Sequence, residues 1–367
     1  MKKIINLFIV LLGILVFAAC SDNIDNPYAR ESTISVVKSN LVFPARASNG
    51  VVEFRSQGTV SASSNATWCK ISVVGDTVKV DVEQNNNNEG RSTVVTLHNG
   101  TDSVNVPLVQ GGLVFQLSVS SVNNSSDLAT SFTYAMSANL DFNVLSAPDW
   151  ITVSNTEDSL KISMTANTTG HLRSGYIKYN VGSYKDSIKV AQCDFDTDLA
   201  GDYYLVSEDG AGKLQAFNAV VSRDTISLPD LDLKIPVAFD GTSIAISTKC
   251  GQYVGTFNIA GTIYYVYTVF ADATVDYWTG YNIGGAAYTA AFDYDINDGT
   301  YAEFSGTFGT NEIGTLLFAG CTSKQLNANS LKKILLEQHS PYLLKKTDSK
   351  AKIASLEKQN QLKFVLR

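Results

Sequence analysis

Charge is scarce in this sequence. Lys, Arg, Asp and Glu make up 17% of the 367 residues, beside 10% aromatics. That balance excludes a highly charged disordered chain, because there is apolar surface enough to build cores. Basic charge is scarcer still from Asp194 to Cys321, where 4 basic residues stand against 17 acidic ones, a net of −13. A segment of that sign cannot neutralise phosphates, which excludes nucleic acid as a partner. The three histidines (His98, His171, His339) are scattered, and the five cysteines (Cys20, Cys69, Cys193, Cys250, Cys321) form no C-x-x-C. A zinc or dithiol motif is thereby excluded. There is no G-x-S-x-G, no G-x-x-x-x-G-K, no H-E-x-x-H and no dinucleotide fingerprint. No catalytic residue, metal ligand or cofactor is expected.

Long hydrophobic runs are also lacking, with one exception at the start. Met1-Lys2-Lys3 precedes a largely apolar stretch from Ile4 to Phe17, then Ala18, Ala19 and Cys20. Such a charged n-region and short h-region ending in small residues predict an export signal over residues 1–19. The cysteine directly after the small residues resembles a bacterial lipobox. That resemblance implies cleavage before Cys20 and lipidation of it, hence a membrane anchor at that residue. Residues 20–31 read as a polar tether.

What the chain does have is a repeat. Trp68, Asn85, Arg91 and Gln110 return as Trp150, Asn167, Arg173 and Gln192, each 82 residues on. A constant offset with matched landmarks predicts two duplicated domains, residues 32–112 and 113–194. Within the first, Val78, Val80 and Val82 alternate with Lys79 and Asp81, the period of a half-buried strand. Gly75 and Asn99-Gly100 sit between such runs as turn signals. Seven or so short strands in about 80 residues predict an immunoglobulin-like sandwich. The two tryptophans and two arginines read as framework residues: the rings as core, the guanidinium groups as hydrogen-bonding partners of a polar loop. Cys69 and Cys193 read as core residues as well.

The tryptophan strand, the spacing from Asn85 to Arg91 and the closing V-x-Q together resemble the BACON domain. This is a small β-sandwich module of Bacteroidetes surface proteins. The resemblance implies an outer-membrane, lipid-anchored protein at the cell surface, with carbohydrate binding or a spacer role for the two modules.

From residue 195 the repeat stops. Residues 195–323 are acidic and rich in Gly, Tyr and Phe, with eight or so strand-like runs that predict an antiparallel barrel or a second sandwich. Asp293-x-Asp295-x-Asn297 lacks the glycine and glutamate of a calcium loop and reads as a hairpin leading into Asn297-Asp298-Gly299. Cys250 and Cys321 read either as a disulfide or as two buried thiols. Asp276, Tyr277, Trp278, Tyr281 and Asn282 lie in a Gly-punctuated run without alternation, where aromatics can stack on sugar rings while carboxylate and amide bind hydroxyls. They are the candidate glycan-binding residues. Glu208, Asp209, Asp276 and Glu303 are the acids a glycosidase would need to bring together. Residues 324–367 form a basic tail, predicted as partly helical: Ser330 caps a helix with Leu331, Ile334 and Leu335 on one face, ending at Ser340-Pro341, and a weak apolar period follows from 348.

Four Asp-Ser/Thr-apolar triplets, beginning at Asp76, Asp158, Asp186 and Asp224, resemble an O-glycosylation acceptor of the same phylum and equally favour turns into strands. The expected fold is all-β: two tandem immunoglobulin-like β-sandwiches, then an antiparallel β-barrel or sandwich domain and a short helical tail. The expected function is non-catalytic glycan binding. The alternatives are a structural accessory to an outer-membrane protein partner and, third, a carbohydrate-active enzyme.

Overall fold

The computed structural model describes residues 32–100, 102–272, 286–327, 329–358 and 363–364. The chain divides into two compact units, one up to Asn85 together with 89–112, the other 86–88 together with 113 onward.

The first unit is a sandwich of eight strands: β1 (Ile34–Ser39), β2 (Val42–Phe43), β3 (Ser48–Ser56), β4 (Ser61–Ser63), β5 (Cys69–Val74), β6 (Thr77–Val82), β7 (Arg91–His98) and β8 (Ser103–Gln110). They form two four-stranded sheets, β1-β3-β6-β5 and β2-β8-β7-β4. In β6 the alternation resolves as expected, with Val78, Val80 and Val82 buried and Lys79 and Asp81 exposed. Gly75 (φ 59°) and Gly100 (φ 87°) carry the turns into β6 and β8, where a side chain would be strained. The inner faces share one core: Val52, Phe54, Val78 and Val80 meet Val95, Leu97, Val106 and Leu108. Each such fully buried aliphatic side chain contributes about 1.5–3 kcal/mol.

The second unit begins with the same sandwich: β9 (Phe115–Leu117), β10 (Ser121–Asn124), β11 (Thr130–Ala138), β12 (Phe142–Ser146), β13 (Ile151–Asn155), β14 (Ser159–Met164), β15 (Arg173–Val181) and β16 (Tyr184–Gln192). The sheet orders repeat as β9-β11-β14-β13 and β10-β16-β15-β12. Even the one parallel pair recurs, β2 on β8 and β10 on β16.

A 14-stranded, nearly closed barrel-like sheet follows. Its strands are β17 (Gly201–Glu208), β18 (Leu214–Val221), β19 (Thr225–Leu228), β20 (Leu233–Pro236), β21 (Ala238–Asp240), β22 (Ala245–Lys249), β23 (Tyr253–Ile259), β24 (Thr262–Asp272), β25 (Ala287–Asp295), β26 (Gly299–Ser305), β27 (Thr307–Phe308), β28 (Asn311–Cys321), β29 (Leu331–Lys345) and β30 (Lys363–Phe364), with helix α1 (Lys350–Lys358) before the last. β20 packs against β23 where the sheet curls back on itself. Asp295 pairs with Gly299 across a hairpin, as expected for that stretch. Cys69, Cys193, Cys250 and Cys321 are buried thiols, so the Cys250–Cys321 question resolves against a disulfide.

One expectation is corrected. Residues 331–340 are not helical but belong to β29, which pairs with β17, β26 and β28. Register shifts against β28 fall at Leu336/Ile334 and Lys333/Leu331, leaving Leu335 and Lys332 as extra residues. Bulges of that kind break period-two alternation. The apolar residues Leu331, Ile334 and Leu335 therefore fall at helical spacing while lying in a strand. Ser340, at φ 45°, kinks that strand rather than ending a helix. The later apolar period corresponds to α1.

The second sandwich and the barrel share a single core. Leu172, Ala191 and Cys193 of the sandwich cluster with Phe195, Tyr203, Phe217 and Phe292. Around that core, Lys189 Nζ donates to Asp293 Oδ2 at 2.8 Å and Ser174 Oγ to Asp293 Oδ1 at 2.8 Å. His171 stacks on Tyr294 with ring centroids 3.8 Å apart. Burial pushes the Lys189 ammonium down, but the Asp293 hydrogen bond more than offsets it and the group lies above its ordinary value.

Candidate functional site

The repeated landmarks build the same polar lock in each sandwich. Arg91 Nε donates to Gln110 Oε1 at 2.8 Å and Arg91 Nη2 to the Glu83 carbonyl at 2.6 Å. In the second repeat Arg173 Nη2 donates to Gln192 Oε1 at 2.7 Å and to the Thr165 carbonyl at 2.6 Å. Thr165 follows Glu83 by the same 82 residues. Gln110 Nε2 reaches the Ala45, Arg46 and Glu83 carbonyls, and Gln192 Nε2 those of Ser126 and Leu128. Asn85 and Asn167 each donate from Nδ2 to a carbonyl four residues on, Glu89 and His171. These side chains satisfy loop carbonyls that burial would otherwise leave unpaired.

The arginines also cover the tryptophans. Arg91 lies 4.2 Å from the Trp68 ring centre and Arg173 4.3 Å from that of Trp150. A ring face occupied by a guanidinium is not open to a sugar. Trp68 is half-buried against the first core. All four residues are therefore framework, as the sequence predicts. Cys20, the residue expected to be lipidated, and the glycan candidates Asp276, Tyr277, Trp278, Tyr281 and Asn282 lie outside the described residues.

Of the acids considered for hydrolysis, Glu208 and Glu303 share a rim groove of about 750 Å³ on the barrel with Glu312 and Tyr342. Asp209 is not part of it: its Oδ1 accepts the Ala211 and Lys213 amides and closes the turn after β17. Of the four triplets, the residues after Asp76, Asp158 and Asp224 open β6, β14 and β19, while Ser187 lies inside β16.

A second groove, of about 680 Å³, lies on the second sandwich, where the chain leaves β9 for β10 and the β15–β16 hairpin turns. Its wall is an aromatic cluster. Phe115 stands 5.5 Å from Tyr184 and 5.9 Å from Tyr179, and Phe142 stacks on Tyr179 at 4.7 Å. Tyr179 is 3% exposed. Burial, with Asp186 nearby, pushes its hydroxyl up to about 12. Tyr184 is 39% exposed. Its hydroxyl donates to Asp186 Oδ2 at 2.8 Å, and the Ser187 amide donates to Oδ1 at 2.8 Å. The Tyr184 hydrogen bond holds the Asp186 carboxyl below its ordinary value. Gln116, Ser118, Ser120 and Ser187 complete the polar lining.

This groove is what reading the repeat as a unit misses. The signal lies in the differences between copies. At the 82-residue offset, Leu97 becomes Tyr179, Asp102 becomes Tyr184, Val104 becomes Asp186 and Val60 becomes Phe142. The pairing confirms the equivalence: Leu97 opposes Val104 as Tyr179 opposes Asp186.

Two segments, residues 58–116 and 123–192, match the family model BACON, described as "Putative binding domain, N-terminal". The chain thus carries two tandem BACON modules. No curated protein matches it. Among solved structures it is similar to an endo-fucoidan hydrolase from glycoside hydrolase family 107, at 14% identity and TM-score 0.25, over 46% of this chain and 29% of that one. It is also similar to a titin tandem (9% identity, TM-score 0.31, 78% of this chain and 94% of that one). A three-immunoglobulin fragment of titin is a further match (7%, 0.26, 79% and 94%). The chain spans under a third of the hydrolase's length, and likenesses this weak carry no argument about activity.

Proposed function

We propose that this is a non-catalytic lipoprotein, anchored through Cys20 at the outer face of the outer membrane, that binds carbohydrate with its second unit. The observation that carries this reading is the groove of the second sandwich, where exposed aromatic surface adjoins an ionised carboxylate. Sugars offer an apolar ring face and a fringe of hydroxyls, and this pairing of groups complements both. The first module serves as spacer.

Binding of soluble polysaccharides by the full chain, read by affinity electrophoresis, tests the reading. Retardation by at least one polysaccharide is expected, and none by any would overturn it. Replacing Cys20 by Ser is expected to move the protein from the membrane to the soluble fraction. A second reading, an accessory that docks on an outer-membrane protein, is favoured by the exposed Val144 and Leu145 on β12, the edge strand of its sheet. Co-purification of one such partner without glycan binding would favour it.

A further inference from the structure

The groove chemistry also sets a ligand class. We propose that the second module binds a neutral pyranose residue stacked on the Tyr184 ring, with its hydroxyls donating to Asp186. This rests on the glycan-binding reading above and narrows it to a site and a class.

The stacking surface is built to hold one orientation. Phe115 and Tyr179 flank Tyr184, at 5.5 and 6.5 Å between ring centroids. The hydrogen bond to Asp186 pins its far end. A ring fixed on those sides and still 39% exposed offers apolar surface without losing rotamer freedom when a ligand arrives. Val114, 57% exposed, extends the apolar strip beside it.

The carboxylate decides the class. Asp186 accepts one protein hydrogen bond on each oxygen, whereas an ionised carboxylate offers about four acceptor sites. The remaining lone pairs suit a sugar diol. Among the described residues, none that lines the groove is Lys or Arg. A uronate or sulfate placed there would face Asp186 with no cation among these lining residues to compensate, so anionic glycans are disfavoured by repulsion. Hydroxyls carry no such penalty.

The first module provides an internal contrast. The equivalent corner is closed by hydrogen bonds: Asn99 Nδ2 donates to Thr33 Oγ1 at 2.7 Å, and the Thr33 amide to Asp102 Oδ2 at 2.8 Å. It holds no aromatic residue at the positions of Tyr179 and Tyr184.

The test is affinity electrophoresis of the full chain in gels containing hydroxyethyl cellulose, starch, mannan, xylan or galactan, and separately polygalacturonate, fucoidan or heparin. Retardation by at least one neutral polymer and by none of the anionic ones is expected. Tyr184→Ala should weaken that binding at least tenfold, and Asp186→Asn about tenfold, with the circular dichroism of both variants unchanged. Neutral-polymer binding that survives both substitutions would overturn this site while leaving glycan binding intact, most directly if Trp278→Ala abolished it instead. Retardation by anionic polymers alone would overturn the class. No retardation by any polymer would overturn both this inference and the reading beneath it.

Discussion

Leu97 and Tyr179 occupy the same place in two copies of one sandwich, facing Val104 and Asp186 across the same hairpin. Around them the copies agree: the same strand order, the same parallel pair, the same arginine over the same tryptophan. They part at this corner. In the first copy the corner is an apolar pair beside a knot of hydrogen bonds; in the second it is an aromatic wall beside a carboxylate. The second copy also shares its core with the barrel. Polar groups that close loop carbonyls must recur wherever the loops recur, whereas a hairpin tip has no such obligation. A duplicated domain can diverge at its tip without losing its fold, which makes the tip a natural place for function.

The strongest way to break the likeness is to remove its shared lock. Gln110→Leu and Gln192→Leu each strand an arginine and several buried carbonyls, since both glutamines are fully buried. A loss of about 3 kcal/mol is expected in each unit, measured by chemical denaturation. A large loss in one copy and none in the other would show that the landmarks are not equivalent.

Asp293→Ala tests the barrel joint, which only the second copy has. It removes partners of Lys189 and Ser174, and a loss of about 1–2 kcal/mol is expected in the second unit alone.

Gly100→Ala and Gly182→Ala strain the same turn in the two copies, at about 1 kcal/mol each. Gly182 should cost more, because an added Cβ would meet Leu140 Cδ1 at 3.0 Å, while at Gly100 nothing lies within 4 Å. Equal losses would mean that the second tip yields as freely as the first.

A pH dependence belongs to the joint as well. Asp198 is buried, and burial, with Asp127 adjoining, raises its carboxyl to about 6. The ordinary value is about 3.9. The folded state therefore holds the proton more tightly than the unfolded chain. Asp198 contributes stability that is full below about pH 4 and lost as pH rises through about 6. The stability difference between wild type and Asp198→Asn is expected to change across that window, and a difference constant from pH 4 to 7 would exclude the effect.

The smallest expected effect is Tyr184→Ala on stability, under about 1 kcal/mol, since the ring is partly exposed. A much larger loss would make Tyr184 a core residue and remove the contrast with Asp102.

By itself the sequence determined the sandwiches and their framework. Alternation in β6, the glycine turns and the constant offset are local or periodic signals, and the physics behind them acts within a few residues. Trp68, Trp150, Arg91 and Arg173 could be read as framework because they recur with the loops they serve. Most barrel strands were legible in the same way, from β17 to β28. Only the tertiary structure decided β29, because its bulges gave Leu331, Ile334 and Leu335 the spacing of a helix and the vacancy between β17, β26 and β28 overrode it. Only the tertiary structure joined Phe115, Tyr179, Tyr184 and Asp186, because the strand that carries Phe115 and the hairpin that carries the others meet through packing and not through sequence.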